Sequence, residues 1–179
     1  MKKTITLLLC LACLAKNTLA QKTFQTKNGT IVFISSTALE EITAVNKQID
    51  SKVASNGQMT FIIPIKGFVF ENAIMQEHFN ENYMESSKFP KAVFMGTISN
   101  KADVVFDKDG IYKTTVNGDM TMHGITNKIT ATGTIEIKDG KPIVKSQFKI
   151  KLSDYKIGGT LIGEKIASEV DVTIECKYE

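Results

Sequence analysis

Residues 127–138 read Asn127-Lys-Ile-Thr-Ala-Thr-Gly-Thr-Ile-Glu-Ile-Lys138, and this segment sets the architecture of the chain. Every second position is apolar or small: Ile129, Ala131, Gly133, Ile135 and Ile137. The positions between them carry threonine or charged side chains. A period of two predicts a β-strand with one buried face and one face in water. Asp139-Gly140 then predicts a tight turn into a second alternating strand over residues 141–152.

The same alternation recurs along most of the chain. It predicts strands over residues 30–35, 58–66, 91–99, 101–106, 111–121 and 169–178. Residues 40–49 fit either a strand or a turn of helix. Asn56-Gly57 is a hairpin signal, and Pro64 suggests an edge or bulged position. A bulge at Gly67 accounts for the change of phase that follows it.

Each of these eight or nine strands has one apolar face, and each apolar face needs a partner. A closed antiparallel barrel and a two-sheet sandwich both meet that need. Long strands joined by short turns favour an up-and-down barrel. The interior of an eight-stranded barrel is either filled by its own side chains or holds one small ligand. We therefore predict an all-β protein built as an eight-stranded antiparallel barrel.

One long segment, residues 73–90, interrupts the alternation. Met75, Phe79 and Tyr83 recur every four residues, which places them on one side of a helix. Asn72 is a suitable N-cap, and Pro90 ends any helix by residue 89. We predict a helical segment near residues 72–86. The pattern fits a surface helix packed on the sheet, and it also fits a wall over a hydrophobic cavity.

The first twenty residues have the pattern of a secretory signal peptide. Lys2 and Lys3 precede an apolar run over residues 5–15, and Thr18-Leu19-Ala20 supplies small residues at the end. We predict cleavage after Ala20, with residues 21–179 forming one barrel domain in the periplasm or outside the cell. A lipoprotein anchor on Cys10 or Cys13 is the alternative.

The predicted mature chain is electrically balanced. Removing Lys2, Lys3 and Lys16 leaves 19 basic and 19 acidic residues, with no basic tract that would suit nucleic acid. Cys176 is the one cysteine of residues 21–179, so the domain has no intramolecular disulfide. It lies on an apolar strand face, which predicts a buried small side chain.

The sequence shows no pattern of catalytic or metal-binding residues. His78 and His123 lie in separate segments, and neither belongs to a His-Glu-x-x-His or Cys-x-x-Cys spacing. A Gly-x-Ser-x-Gly elbow, a dinucleotide fingerprint and a P-loop are all missing from the sequence. We predict neither enzyme activity nor a metal site. The inward faces are instead rich in phenylalanine and methionine, which suits an apolar ligand and equally suits a filled core.

Three blocks of the chain carry a family resemblance. The first is Met75-Gln-Glu-His78-Phe79 with Phe89-Pro90, and the second is Gly118-Asp-Met-Thr-Met-His123-Gly-Ile-Thr126. The third is Ser146-Gln-Phe148 followed by Asp154-Tyr155. In these blocks, and from about Asn28 onwards, the chain resembles the YceI-like family. The resemblance implies a lipocalin-like barrel with a helical segment beside it. It also implies an extracytoplasmic carrier for a polyisoprenoid, a quinone tail or an amphiphile.

The resemblance assigns roles to particular residues. The residues implied to line the apolar pore are Phe33, Phe61, Ile63, Phe68, Phe70, Phe79, Tyr83, Phe94, Met120, Met122, Phe148 and Ile150. His78 and His123 match the two histidine positions of the family, where they would contact a head group or anchor loops. A bound lipid is the one ligand implied, without a further cofactor. Residues 28–55 lack the usual Asp-x-x-His-Ser start, so the first two strands are expected to be shorter.

Two other functions fit the sequence. A barrel with a filled core could act through envelope protein partners in a redox or stress system, and a homodimer is compatible with either function. A hydrolase or isomerase acting on a bound lipid is the third hypothesis.

Overall fold

The computed structural model describes residues 21–179, and the predicted signal peptide, residues 1–20, lies outside the described residues. The strands within residues 21–179 are β1 Thr23–Ser36, β2 Glu41–Ala54, β3 Gln58–Pro64, β4 Val69–Phe70, β5 Lys91–Ile98, β6 Gly110–Met122, β7 Ile125–Lys138, β8 Lys141–Lys151 and β9 Glu169–Lys177. The helix α1 Ala73–His78 continues as a π-helical turn, Phe79–Tyr83.

Eight of the strands close into an antiparallel barrel. Their order around the wall is β1-β9-β8-β7-β6-β5-β3-β2, and β2 pairs with β1 to complete the ring. The two-residue β4 adds a short pairing to β2. The closed barrel predicted from the alternation is confirmed, and the two-sheet sandwich is excluded. Closure gives each of the eight strands a paired neighbour on both sides over at least part of its length.

The period of two along each strand places the apolar set inside the barrel. On β7, Ile135 and Ile137 are almost completely buried, as the alternation predicts. On β9, Val172, Ile174 and Cys176 are buried in the same way. Burial raises the pKa of the Cys176 thiol to about 12, because the thiolate would lose its hydration. The prediction of a buried cysteine is confirmed.

The two ends of the barrel differ. The helix end carries the β1–β2 turn, residues 65–90, the β6–β7 turn and residues 152–168. The far end carries the β2–β3 turn, residues 99–109, the β7–β8 turn and both ends of the described chain. Among residues 21–179, no helix is long and apolar enough to cross a membrane.

The predicted strand over residues 101–106 is wrong. The chain forms a 3-10 turn at Lys101–Asp103, because Asn100 holds the loop to β6. Its amide donates a hydrogen bond to the Lys113 carbonyl at 2.9 Å, and its side-chain oxygen accepts one from the Thr115 N–H at 3.0 Å. The apolar residues of this loop pack against the barrel: Phe106 is buried at the far end.

Three predictions about the first half of the barrel are also wrong. β1 and β2 are not shortened, since each has 14 residues and they pair along their length. The change of phase after Pro64 comes from a 3-10 turn, Ile65–Gly67, and not from a bulge. Pro64 is the last residue of β3, which lies between β2 and β5 and is therefore not an edge strand. The Asn46 amide donates to the Pro64 carbonyl at 2.7 Å and fixes this corner.

The helical segment is shorter than predicted. The Asn72 side chain accepts hydrogen bonds from the Ile74 and Met75 N–H groups, so it is the N-cap that the sequence indicates. The helix ends at Tyr83, not near residue 86. It ends in a wide turn, where the Met84 N–H donates to the Phe79 carbonyl at 2.9 Å.

Candidate functional site: the barrel cavity

The barrel interior is not filled by its own side chains. It encloses a cavity of about 400 Å³, which is within the range of small-molecule sites. All of the apolar residues named above for the pore line this cavity. Further apolar lining residues, which were not among those assigned to the pore from the sequence, include Ile31, Met59, Met75, Ile129, Val144, Leu152, Val170 and Val172. The period-two pattern already marked Ile129, Val144, Val170 and Val172 as inward-facing, so the signal for them was present.

An aromatic cluster at the helix end joins the helical segment to the wall. Phe79 lies with its ring centroid 5.0 Å from that of Phe70 and 5.6 Å from those of Phe33 and Phe68. Tilted and edge-to-face packing at these distances is favourable for aromatic rings. The helix is therefore a wall of the cavity, and this decides between the two structures that its sequence pattern allowed.

The cavity opens at the helix end, between α1 and residues 152–168. Two apolar side chains that line it are solvent-exposed: Ile74 at 64% and Leu161 at 39%. Glu40, His78 and Lys165 add polar groups to the same lining. The loop and the helical segment are in close contact, because a Cβ atom at Gly159 would lie 2.8 Å from the Tyr83 ring. We call this opening the mouth.

His123 ties three segments together beside the helix. Its Nδ1 donates to the Tyr155 carbonyl at 3.0 Å, since a carbonyl can only accept. Its Nε2 lies 2.9 Å from the Glu85 carboxylate, within hydrogen-bond distance. The ring also packs edge-on against Phe89. The contacts fix the β6–β7 turn to the segment after the helix and to the 3-10 turn after β8.

The structure separates the two histidines that the resemblance grouped. His78 lies on α1 and lines the cavity, with its Nδ1 3.4 Å from the Asn82 amide. His123 is not one of the residues that line the cavity, and its side chain instead anchors loops. No group of three His, Cys, Asp or Glu side chains within residues 21–179 could hold a metal ion. The arrangement can accommodate an apolar chain, and its polar groups do not converge on one point.

We expect the two histidines to differ in their effect on stability. His123→Asn removes the two hydrogen bonds of the ring and its packing on Phe89, and asparagine tolerates the left-handed backbone of this position, φ 51°. The free energy of unfolding should fall by about 2 kcal/mol, as for hydrogen bonds to charged groups. His78→Asn should change it by less than about 0.5 kcal/mol. Urea unfolding of both variants measures this, and equal losses would contradict the anchoring role of His123.

Comparison with known families gives one match over nearly the whole chain. The profile of the YceI-like domain matches residues 18–178. No curated protein matches the chain.

Solved structures with the same fold come from several bacteria. The chain is similar to a polyisoprenoid binding domain from Saccharophagus degradans implicated in plant cell wall breakdown. The TM-score is 0.76 at 15% identity, covering 88% of this chain and 97% of that one. It is also similar to Burkholderia cenocepacia BcnA, with TM-score 0.69 and 16% identity over 82% and 94% of the two chains. The Campylobacter jejuni YCEI protein gives TM-score 0.53 and 21% identity over 73% and 78%.

Proposed function

The chain belongs to the YceI-like domain family, and we propose that it is an extracytoplasmic, non-catalytic lipid carrier. Its ligand is a polyisoprenoid or a similar long apolar chain held in the barrel cavity. The observation that carries the proposal is the cavity itself: about 400 Å³, enclosed by strands and helix, with a lining that is almost entirely aliphatic and aromatic. The Saccharophagus degradans domain of the same fold is described as polyisoprenoid-binding, which supports this ligand class.

The chemistry of the lining favours a chain over a compact polar ligand. An apolar cavity offers no hydrogen bonds to replace those that a polar group makes with water, so polar ligands are rejected. Each five-carbon isoprene unit removed from water contributes at most about 4 kcal/mol, at about 0.8 kcal/mol per carbon group. Ordering the chain and giving up translational freedom cost several kcal/mol. One unit therefore binds barely, and longer chains bind well.

The proposed location rests on the sequence. Lys2, Lys3, the apolar run over residues 5–15 and Ala20 form a signal peptide, so the carrier works in the periplasm or outside the cell. Cleavage after Ala20 releases the domain, whereas a lipid anchor on Cys13 would hold it at a membrane. The intact mass of protein recovered from its native host distinguishes the two forms.

Ligand content and chain-length dependence test the function. Organic extraction of the purified protein, followed by mass spectrometry, should yield a long apolar chain. After delipidation, titration with prenols of increasing length should show affinity rising with each unit until the cavity is full. Head-group changes should have smaller effects than tail length. A flat response to length, or no binding by well-folded protein, would favour a barrel that acts through protein partners.

A further inference from the structure

The wall of the barrel is incomplete between β7 and β8. Their pairing runs from Lys138↔Lys141 to Gly133↔Ser146 and stops there. On their other sides both strands continue to pair, β7 with β6 as far as Ile125 and β8 with β9 as far as Lys151. In the part of the chain that the structure describes, residues 128–132 and 147–151 therefore have no pairing partner across the gap. We call this gap the seam.

The seam is bounded at both ends. At one end Gly133 crosses so close to β8 that a Cβ atom there would lie 2.2 Å from the Lys145 carbonyl oxygen. The Ser146 hydroxyl donates to the Thr132 carbonyl at 2.7 Å beside it. At the helix end, the Asn127 amide donates to the Asp154 carbonyl at 2.7 Å. Five residues of unpaired strand between these bonds give an opening roughly 17 Å long, at about 3.4 Å per residue.

Outward side chains along the seam make their contacts with the neighbouring strands and not across the gap. Thr130 donates to the Asn117 side chain of β6 at 2.8 Å. Lys149 contacts the Asp171 carboxylate of β9 at 3.2 Å.

The seam connects the cavity with the outer surface. Phe148 and Ile150 point inward from β8 and line the cavity, yet both are only partly buried. Thr132 and Lys145, which point outward, belong to the same lining. A shallow groove lies outside the barrel at this place, and its lining includes Lys113, Lys145, Thr132 and Gln147.

The groove has a surplus of positive charge. Glu175 is its one acidic lining residue within the described chain, and it is shared between Lys145 at 3.9 Å and Lys177 at 3.6 Å. Lys113 has no ion pair among residues 21–179. Unpaired strand segments also present backbone N–H and C=O groups, which can hydrogen-bond to the polar part of a ligand. Such a surface suits the polar or anionic head group of an amphiphile.

We propose that the seam is a lateral gate for an amphiphilic ligand. The apolar chain passes between β7 and β8 into the cavity, while the acceptor-rich head group stays outside in the groove beside Lys113 and Lys145. This inference rests on the proposed lipid-binding function and adds the route and the head-group position. The far end of a long apolar chain then lies at the mouth, at the helix end of the barrel.

A covalent bridge across the seam tests the gate. Thr130→Cys with Lys149→Cys places two outward thiols on opposite sides, and a short thiol-reactive cross-linker joins them. The buried Cys176 thiol, whose pKa is raised to about 12, does not compete. Uptake and release of a fluorescent long-chain isoprenoid should slow by about tenfold or more, as expected when a gating motion is blocked. A cleavable linker should restore both rates.

Matched controls separate the gate from general effects of cross-linking. Thr60→Cys with Met95→Cys joins two register partners on β3 and β5, away from the seam, and should leave both rates unchanged. Each single-cysteine variant receives the same reagent. Thr132→Cys with Gln147→Cys is a second bridge, used if the first variant does not fold.

The outcomes are distinguishable. Unchanged rates in a bridged protein that still binds the isoprenoid would overturn the gate and leave the proposed function standing. Loss of binding in the unbridged wild type would overturn both. Lys113→Glu with Lys145→Glu should weaken an isoprenoid phosphate by about tenfold but leave the matching prenol unaffected, since only the charged head gains from the lysines. Equal effects on both ligands would contradict the head-group position.

Discussion

Ile135→Asp should leave most of the protein unfolded at neutral pH. Ile135 is completely buried in the middle of the β7–β8 pairing, opposite Val144. The substitution removes an apolar side chain, which costs about 2–5 kcal/mol, and leaves a carboxylate without a partner, which adds several more. The free energy of unfolding of a domain of this size is about 5–15 kcal/mol, so the substitution removes most of it.

The neighbouring Thr134→Asp is the matched control. Thr134 lies on the outer face, between Lys113 of β6 and Lys145 of β8 in the register. A carboxylate there meets two cations in water and should change stability by less than about 1 kcal/mol. Urea unfolding at pH 7 measures the difference. At pH 4 the Ile135→Asp defect should shrink, because a buried carboxyl is more easily kept neutral. Equal stability of the two variants at pH 7 would show that the inward and outward faces of β7 are assigned wrongly.

Phe79→Ala should cause the largest loss of ligand affinity among single substitutions in the helical segment. Phe79 is the contact of the helix with Phe33, Phe68 and Phe70, and it also lines the cavity. Truncation removes apolar contact with the ligand and loosens the wall that covers it. For a long isoprenoid we expect the dissociation constant to rise by about tenfold or more, equivalent to about 1.4 kcal/mol. A short prenol, which cannot reach the helix from deep in the barrel, should lose less.

Phe24→Ala provides the control for the general effect of removing an aromatic ring. Phe24 stacks on Phe106 at the far end, with centroids 6.0 Å apart, and does not line the cavity. It should lower stability without changing affinity. Isothermal titration of the delipidated variants with the same prenol series compares them. Equal losses of affinity in both variants would show that the effect comes from destabilisation and not from contact with the ligand.

Some features of this protein are determined by a few consecutive residues of the sequence. The period of two over residues 127–138 identifies the buried face of β7, because side chains alternate across any strand whatever its neighbours. Asn72 identifies the start of α1, because an N-cap acts on the next two or three N–H groups. The apolar residues that the family resemblance implies for the pore all line the cavity, and most of them lie on strands, where the same alternation turns them inward.

Other features depend on partners distant in the chain. Residues 101–106 alternate like a strand, yet they do not form one. The Asn100 side chain hydrogen-bonds to β6 and turns the chain, and Phe106 packs at the far end of the barrel. His123 could not be assigned to Glu85 and Tyr155 from spacing, since 38 and 32 residues separate them. The sequence pattern also left the helix as either a surface element or a cavity wall, and the contacts of Phe79 decided it.

The seam shows the same division most clearly. β7 and β8 are both regular alternating strands joined by a tight turn, and this local pattern predicts a hairpin. Pairing between them stops at Gly133↔Ser146, while β7 stays paired with β6 and β8 stays paired with β9. Alternation is a property of a few consecutive residues and determines which side chains face inward. Closure and its gaps depend on the geometry of the whole ring of strands, and only the tertiary structure decides them.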